Sequence, residues 1–115
     1  MSVNTVLAGM AVADFEAAVS WYERLVGRPA DQRPMGGLAE WHFPGTGVIQ
    51  VIQDPERAGK SLLTLMVDDL AADLAAVAER GVDTGPLDDT TSDKVLVAPV
   101  TDPAGNAITL VEPRT

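Results

Sequence analysis

Hydrophobic and polar positions follow the same order in the two halves of the chain. Leu7 in the first half corresponds to Leu62 in the second. In the same alignment, Asp14 corresponds to Asp69. In each copy an apolar run typical of a strand stops near an Asp, and hydrophobic positions then recur at helical spacing. A repeat of this length is one supersecondary module used twice. The pattern therefore predicts two similar modules that face each other across a cleft, where small molecules bind.

The first half predicts a strand, a helix and three further extended segments. Residues 5–12 are apolar on both faces and form the first strand. Asp14 stands where a helix N-cap belongs, and Gly27 stops the helix. One face of this helix is hydrophobic and carries Phe15, Val19, Tyr22, Leu25 and Val26. After another extended segment, two glycine-containing turns border strands predicted over 38–43 and 48–52.

The second half predicts the same order of elements. A strand covers residues 61–67, and Asp68 or Asp69 caps a helix that Gly81 closes. The remaining segments are short extended pieces around 82–87, a solvated loop over 88–93, and a terminal hairpin formed by 94–101 and 107–112. The second half therefore also predicts a β-α-β-β-β module.

These elements predict an α+β fold. Two βαβββ modules form a curved mixed β-sheet cleft, with the helices on its outside. Residues 1–115 make one domain, with module one at 1–55, a linker at 56–60 and module two at 61–115. Each half alone is too short to be more than marginally stable, so the halves are expected to share a core.

The charge, cysteine content and hydropathy of the chain limit the kinds of molecule that it is expected to bind. The chain has a net charge of −9, which repels nucleic acid and favours a cationic ligand. It has no cysteine, which excludes disulfides and thiolate ligands and fits a reducing cytoplasm. The apolar start lacks the preceding basic residues of a signal peptide, and no segment reaches the ~18 apolar residues of a membrane span. We therefore predict a cytoplasmic protein that binds neither nucleic acid nor membranes.

Three segments, taken in order, resemble the vicinal oxygen chelate superfamily of glyoxalases, bleomycin-resistance proteins and extradiol dioxygenases. Residues 12–27, VADFEAAVSWYERLVG, are similar to the opening strand-to-helix signature. Residues 67–70, VDDL, are similar to the second-half counterpart, and residues 102–112, DPAGNAITLVE, to the last hairpin. Ala104 stands where the family usually has an acidic residue in that turn. The resemblance covers almost the whole chain.

In metal-dependent members, the resemblance implies four ligands on the inner face of the sheet. The corresponding positions hold Leu7, Leu62 and Thr109, with the fourth near Gln50. None is a good ligand for Zn²⁺, Fe²⁺ or Ni²⁺, which are bound by imidazole, thiolate or carboxylate. The chain's one histidine, His42, cannot rebuild such a set. We therefore predict neither a metal nor another cofactor, and the resemblance then implies the members that sequester small molecules.

Trp41 and His42 are the first candidate ligand-binding residues. On a strand, Trp41 and Phe43 share one face, and Glu40 and His42 share the other. One of these faces must meet either the core or the cleft. Trp41 would stack on a planar or cationic ligand, and His42 would titrate near neutral pH. The alternative for His42 is a surface or hydrogen-bonded strand residue.

The former metal positions provide the other candidates, which are Gln50, Thr109, Leu7 and Leu62. At those positions Gln50 and Thr109 would point into the cavity and hydrogen-bond a ligand, whereas the alternative is simple packing. Arg33 and Glu40 are weaker candidates, because a charge on a strand is usually just solvated. No serine has His and carboxylate partners in the sequence, so we predict no catalytic triad.

The sequence thus predicts a homodimeric, metal-free protein of the bleomycin-resistance type that binds a small organic molecule, such as an antibiotic or a metabolite. One alternative is a glyoxalase-like lyase or isomerase with an atypical site, using acid–base chemistry from His42 and Glu40. Another is an accessory subunit whose own side chains fill the cleft.

Overall fold

The first module is a four-stranded mixed sheet with a helix packed on one face. The structure, a computed structural model, describes residues 1–114. The elements of this module are β1 (Leu7–Val12), α1 (Phe15–Val26), β2 (Gln32–Met35), β3 (Leu38–Phe43) and β4 (Gly47–Gln53). The strand order is β1-β4-β3-β2, with β1 parallel to β4 and the other pairs antiparallel. The predicted order of elements is confirmed.

Helix α1 begins and ends where the hydrophobic pattern predicts. The Asp14 carboxylate accepts a hydrogen bond from the Ala17 N–H at 3.2 Å, which satisfies one of the free donors at the helix start. Gly27 ends the helix with φ of 92°, a left-handed conformation that residues with a Cβ avoid. Between these caps, the predicted apolar face is buried except for Val26, which is half-buried.

The second module has the same parallel pair and helix but a smaller sheet. Its elements are β5 (Leu62–Met66), α2 (Leu70–Glu79), β6 (Val95–Thr101) and β7 (Ala107–Pro113). The strand order is β5-β7-β6, with β5 parallel to β7 and β6 antiparallel to it. Asp69 is the N-cap of α2, and its carboxylate accepts a hydrogen bond from Ala72 N–H at 3.1 Å. The α+β class is confirmed, with two separate sheets where one continuous sheet was expected.

The strand predicted around 82–87 does not form. Gly85 N–H donates to the Pro99 carbonyl at 2.8 Å, and Asp88 exchanges two hydrogen bonds with Val97. These contacts follow β6 without becoming a continuous ladder, because Pro99 and Pro86 have no N–H to donate. Gly85 also lies so close to Pro99 that an added Cβ would be only 2.5 Å from the proline ring. Module two is therefore a βα unit with a two-stranded hairpin.

The two modules share one hydrophobic core. The helix-facing side chains of both sheets belong to the same buried cluster. Its largest fully buried members include Trp41, Tyr22, Met10, Leu70 and Ile108. The expectation that the halves share burial is therefore confirmed. Neither helix within residues 1–114 is long and apolar enough to cross a membrane.

Each sheet has a second face turned away from the helices, which we call its open face. Because side chains alternate along a strand, the buried residues of each strand identify which neighbours lie on the open face. The open face of the first sheet carries Leu7, Gly9, Ala11, Leu38, Glu40, His42, Val48, Gln50 and Ile52. That of the second carries Leu62, Thr64, Met66, Ala107, Thr109 and Val111.

Candidate functional site

Three polar side chains meet on the open face of the first sheet, and we call Glu40, His42 and Gln50 the polar cluster. His42 Nε2 lies 3.0 Å from Glu40 Oε1. Gln50 Nε2 donates to Glu40 Oε2 at 2.8 Å. Glu40 is only 8% exposed, whereas the His42 side chain is 39% exposed. The cluster therefore consists of a buried carboxylate beneath an accessible imidazole.

Strand register explains why these residues meet. Glu40 and His42 are two positions apart on β3 and so point to the same face. Gln50 on β4 lies directly opposite Glu40, and Gly9 on β1 lies on the other side of Gln50. Gly9 has no side chain, and the Ile52 side chain lies 3.1 Å from the position that a Cβ would take there. The neighbouring open-face side chains on these strands are apolar, so the cluster is a polar spot on an apolar surface.

Side chains from the α1–β2 connection hold the backbone of His42. The Asp31 carboxylate accepts a hydrogen bond from His42 N–H at 2.6 Å. The Arg28 guanidinium donates to the His42 carbonyl at 2.7 Å and pairs with Asp31 at 2.6 Å. Strand β2 runs antiparallel to β3 and begins at Gln32, which pairs with Glu40. The strand therefore does not extend alongside His42. The Arg28–Asp31 pair takes the place of the missing strand and fixes the backbone from which the imidazole projects.

The carboxylates of this region are stabilised in their ionised form. Hydrogen bonds from Gln50 and then from His42 hold the pKa of Glu40 below its ordinary value, although burial opposes them. The backbone N–H of His42, followed by Arg28, lowers the pKa of Asp31. Glu40 is therefore an anion at neutral pH and acts only as an acceptor.

These lowered pKa values predict how stability depends on pH. A carboxyl group whose pKa is lower in the folded state stabilises the fold above its unfolded pKa, near pH 4. This contribution is lost as the pH falls through the folded value. We expect urea denaturation to show Glu40→Gln less stable than the parent at pH 7, with the difference shrinking below pH 4. A difference that stays constant from pH 7 to pH 3 would contradict this account of Glu40.

Of the six predicted site residues, the structure places three on the open face of the first sheet. His42 and Gln50 both contact Glu40. Leu7 is 45% exposed and lies opposite Val48, which in turn pairs with His42. These three residues therefore form one continuous patch.

Leu62 and Thr109 lie on the open face of the second sheet, apart from the polar cluster. Leu62 is 83% exposed, and Thr109 pairs with Thr64 on the neighbouring strand. The repeat places Thr109 at the position in module two that Gln50 holds in module one. One chain thus carries the two halves of the predicted site on two different sheets.

Trp41 does not belong with His42, and its predicted place in the site is corrected. Its side chain is fully buried on the helix-facing side of β3. Trp41 Nε1 donates to the Arg28 carbonyl at 2.9 Å, and its ring lies 6.0 Å from that of Tyr22. The face of β3 that carries Trp41 therefore packs in the core, because a large aromatic side chain gains most from full burial. Trp41 influences the site only by anchoring the residue that binds the His42 carbonyl.

Glu40, predicted only as a weaker candidate, lies at the centre of the polar cluster, and the Arg28–Asp31 pair was not predicted. The position of Glu40 two residues before His42 could have indicated a contact between them. Nothing comparable in the sequence points to Arg28 and Asp31, because they meet His42 only after β2 has paired with β3. Arg33, also a weaker candidate, lies elsewhere, with Glu16 at 3.2 Å and the Phe15 ring at 5.8 Å.

Two hollows of ligand size lie away from the polar cluster. One, of about 900 Å³, is a wide, shallow depression between the start of α1 and the β2–β3 turn. The other, of about 540 Å³, is a mostly apolar crevice between the modules, bordered by Phe43, Leu65 and Val77. None of the six predicted residues lines either hollow. We place the candidate site at the polar cluster, since its three side chains hydrogen-bond to one another around a buried carboxylate. The charged pair that lines the larger hollow, Arg33 and Glu16, is instead largely exposed.

Two related modules, each with a parallel pair of strands and a helix packed on one face of its sheet, define the class of fold to which this chain belongs. Residues 3–110 match the sequence model of the Glyoxalase/Bleomycin resistance protein/Dioxygenase superfamily. The chain belongs to this superfamily. A comparison with curated proteins finds no significant match.

Solved structures show the same fold along the whole chain. The glyoxalase/bleomycin resistance protein from Catenulispora acidiphila DSM 44928 is 34% identical, with a TM-score of 0.88 and coverage of 96% of this chain and 98% of that one. TnmS3, an antibiotic binding protein from Streptomyces sp. CB03234, is 28% identical, with a TM-score of 0.81 and 99% coverage of both chains. A protein from the mobile metagenome of V. Pseudocholerae is 25% identical, with a TM-score of 0.73, and covers 100% of this chain and 97% of its own.

The residues at the family's metal positions do not fit a transition metal. Leu7 and Leu62 offer only hydrocarbon, and Thr109 offers a neutral hydroxyl. Within residues 1–114, no three His, Cys, Asp or Glu side chains are grouped as a metal site requires. Glu40 and His42, the carboxylate and imidazole of the polar cluster, bind each other.

Proposed function

We propose that this protein binds a small organic molecule, an antibiotic or a metabolite, at its open sheet faces and without a metal. The observation that carries the proposal is the polar cluster on an otherwise apolar open face. Binding sites for small molecules combine apolar walls with a few placed polar groups, and this surface has both. The similarity to TnmS3, an antibiotic binding protein, supports the same class of function.

The charge of the chain supports a cationic or neutral ligand. The polar cluster contains one carboxylate, Glu40, and within residues 1–114 no lysine or arginine side chain hydrogen-bonds to that carboxylate. The nearby Arg28 guanidinium contacts the His42 carbonyl and pairs with Asp31. The net charge of −9 adds a repulsive field for anions. A carboxylate or phosphate ligand would place its charge beside Glu40, so we exclude these from the proposed class.

We further propose that two copies of the chain form the complete cleft. Several large apolar side chains are exposed in the single chain, and those on the open faces include Leu7, Leu62 and Met66. Exposed apolar surface of this kind favours association, and a twofold dimer is the commonest solution. Light scattering is expected to give twice the mass of 12.1 kDa. A mass equal to one chain at micromolar concentration would contradict the dimer.

The binding proposal predicts a specific effect of Glu40→Gln. Native mass spectrometry against a panel of antibiotics and metabolites identifies a ligand, and calorimetry then measures its affinity. We expect Glu40→Gln to weaken binding roughly tenfold or more, because hydrogen bonds that involve a charged group are the stronger ones. Glu56→Gln, at an exposed position in the predicted linker, serves as the matched control. No binding across the panel, or equal binding by both variants, would contradict the proposal.

A second candidate function is metal-free proton transfer, favoured by the 3.0 Å contact between His42 and Glu40. A carboxylate that holds an imidazole is a common arrangement for a general base. The test is exchange of a ligand C–H with solvent deuterium, followed by proton NMR. Exchange that His42→Gln abolishes would support catalysis, whereas binding without exchange would support a binding protein alone.

A further inference from the structure

We propose that Glu40 fixes His42 as its Nε2–H tautomer, so that Nδ1 accepts a hydrogen bond from an O–H or N–H group of the bound molecule. This inference rests on the proposed binding function and names the chemical class of the ligand. It concerns a hydrogen-bond donor on the ligand, which a phenol, an amide or an ammonium group can supply.

The tautomer follows from the partners of Glu40. Both carboxylate oxygens are engaged, Oε1 with His42 Nε2 at 3.0 Å and Oε2 with Gln50 Nε2 at 2.8 Å. An ionised carboxylate has no proton to donate, so the proton between Glu40 and His42 is carried by Nε2. The lowered pKa of Glu40 supports its ionised state. A neutral imidazole has one N–H, and Nδ1 therefore keeps a free lone pair.

Nδ1 is available to a ligand. The hydrogen bonds that His42 makes within residues 1–114 use its backbone N–H, its carbonyl and Nε2. Within the same residues, no buried side-chain nitrogen or oxygen lacks a partner, so an unpartnered Nδ1 is accessible to solvent. Arg28 and Asp31 fix the backbone of His42 on one side, and Glu40 fixes its ring on the other. The acceptor is thus held in place before the ligand arrives.

The groups around Nδ1 define what the ligand must present. Gln50 uses one amide N–H for Glu40, which leaves its second N–H and its Oε1 for other partners. The surface therefore offers two acceptors, His42 Nδ1 and Gln50 Oε1, and one donor. A ligand with a hydroxyl or N–H group matches Nδ1, whereas an ether or carboxylate places a lone pair against it. Replacing the ligand's donor by an ether should therefore weaken binding.

The tautomer can be tested without a ligand. His42 is the only histidine, so long-range ¹H–¹⁵N NMR gives one unambiguous imidazole spin system. At a pH where the imidazole is neutral, we expect a protonated Nε2 and an unprotonated Nδ1. Glu40→Gln is expected to mix the two tautomers, because an amide can donate or accept, and Glu56→Gln is expected to change nothing. A proton on Nδ1 in the parent protein would overturn the proposal.

The ligand class can be tested with a matched pair of probes. 7-Hydroxycoumarin and 7-methoxycoumarin have the same ring system, and only the first has an O–H. We expect calorimetry to show that the parent protein binds the hydroxyl compound roughly tenfold more tightly than the methoxy compound. For His42→Phe we expect the two compounds to bind with about the same dissociation constant. His42→Leu, which also has no acceptor in its side chain, provides a second variant in case His42→Phe does not fold.

Three outcomes distinguish this inference from the proposed function. Tighter binding of 7-hydroxycoumarin that depends on His42 supports both the donor requirement and the small-molecule-binding function. Equal binding of the two probes overturns the donor requirement and leaves small-molecule binding standing. Binding of neither probe overturns this ligand class, and the antibiotic and metabolite panel then decides separately whether the protein binds small molecules.

Discussion

Replacing Asp102 with Ala is expected to lower the free energy of unfolding by about 4 kcal/mol, the combined cost of several unpaired buried groups. The Asp102 carboxylate is buried and accepts hydrogen bonds from Tyr22 Oη at 2.7 Å and Asn106 Nδ2 at 2.8 Å. Its other oxygen accepts from the backbone N–H groups of Ala104 and Asn106, both at 2.9 Å. Alanine would leave these donors without a partner.

The same network joins the two modules, which is why the effect should be large. Tyr22 belongs to α1, whereas Asp102 and Asn106 belong to the last turn. Asn106 Nδ2 also donates to the Ala11 carbonyl on β1 at 2.7 Å, and its Oδ1 accepts from Ser61 N–H at 2.8 Å. Burial, together with Asp102, raises the pKa of Tyr22, so its hydroxyl stays protonated and remains a donor. Loss of Asp102 would therefore loosen the junction between the modules.

Urea denaturation monitored by circular dichroism provides the measurement for Asp102→Ala. Asp54→Ala is a matched control, because Asp54 also precedes a proline, but within residues 1–114 its side chain hydrogen-bonds only Arg57, whose side chain is exposed. We expect this control to cost less than about 1 kcal/mol. Tyr22→Phe should cost about 1 kcal/mol, since it removes a single hydrogen bond. A loss below 1 kcal/mol for Asp102→Ala would show that the network does not hold the modules together.

Trp41→Ala is the second substitution with a large expected effect, about 4 kcal/mol of unfolding free energy. The Trp41 side chain is the largest of the fully buried side chains. Its removal leaves a cavity beneath β3 and frees the Arg28 carbonyl, which accepts the indole N–H. The loss of stability should therefore come with a less ordered Arg28 and a less ordered His42 backbone.

Two measurements distinguish packing of Trp41 in the core from contact between Trp41 and the ligand. We expect chemical denaturation to show a large loss for Trp41→Ala and a much smaller one for Trp41→Phe, which keeps most of the buried area. If Trp41 instead contacted the ligand, calorimetry would show weaker binding while the denaturation midpoint stayed unchanged. That second result would contradict the burial described here.

The candidate site depends on this core more than its surface position suggests. Trp41 Nε1 binds the Arg28 carbonyl, and the Arg28 guanidinium binds the His42 carbonyl. His42 in turn contacts Glu40, which Gln50 also binds. A buried indole and an exposed imidazole, adjacent on β3 but on opposite faces, are thus linked through one loop residue. Substitutions in the core can change the site without touching it.

Much of the local structure could be predicted from the sequence. The caps at Asp14 and Gly27 depend on interactions within a few residues, and both were identified correctly. The strand predicted at 38–43 coincides with β3 for the same reason. The repeat predicted two related modules, because each module begins with its own strand, Asp cap and helix. Absence of metal donors at Leu7 and Leu62 was equally visible in the sequence, since residue type alone decides it.

Only the tertiary structure decided which residues meet. The alternation along β3 placed Trp41 and His42 on opposite faces, but only packing against α1 showed that the Trp41 face is the buried one. Strand register then brought Gln50 opposite Glu40. Because β2 does not extend alongside His42, Arg28 and Asp31 bind the backbone of His42 instead. Pro99, which has no N–H, limits the pairing of the 82–88 segment with β6, so module two has one strand fewer than module one. Local elements follow from neighbours in the chain, whereas a site depends on contacts between distant segments, which form only when the whole core packs.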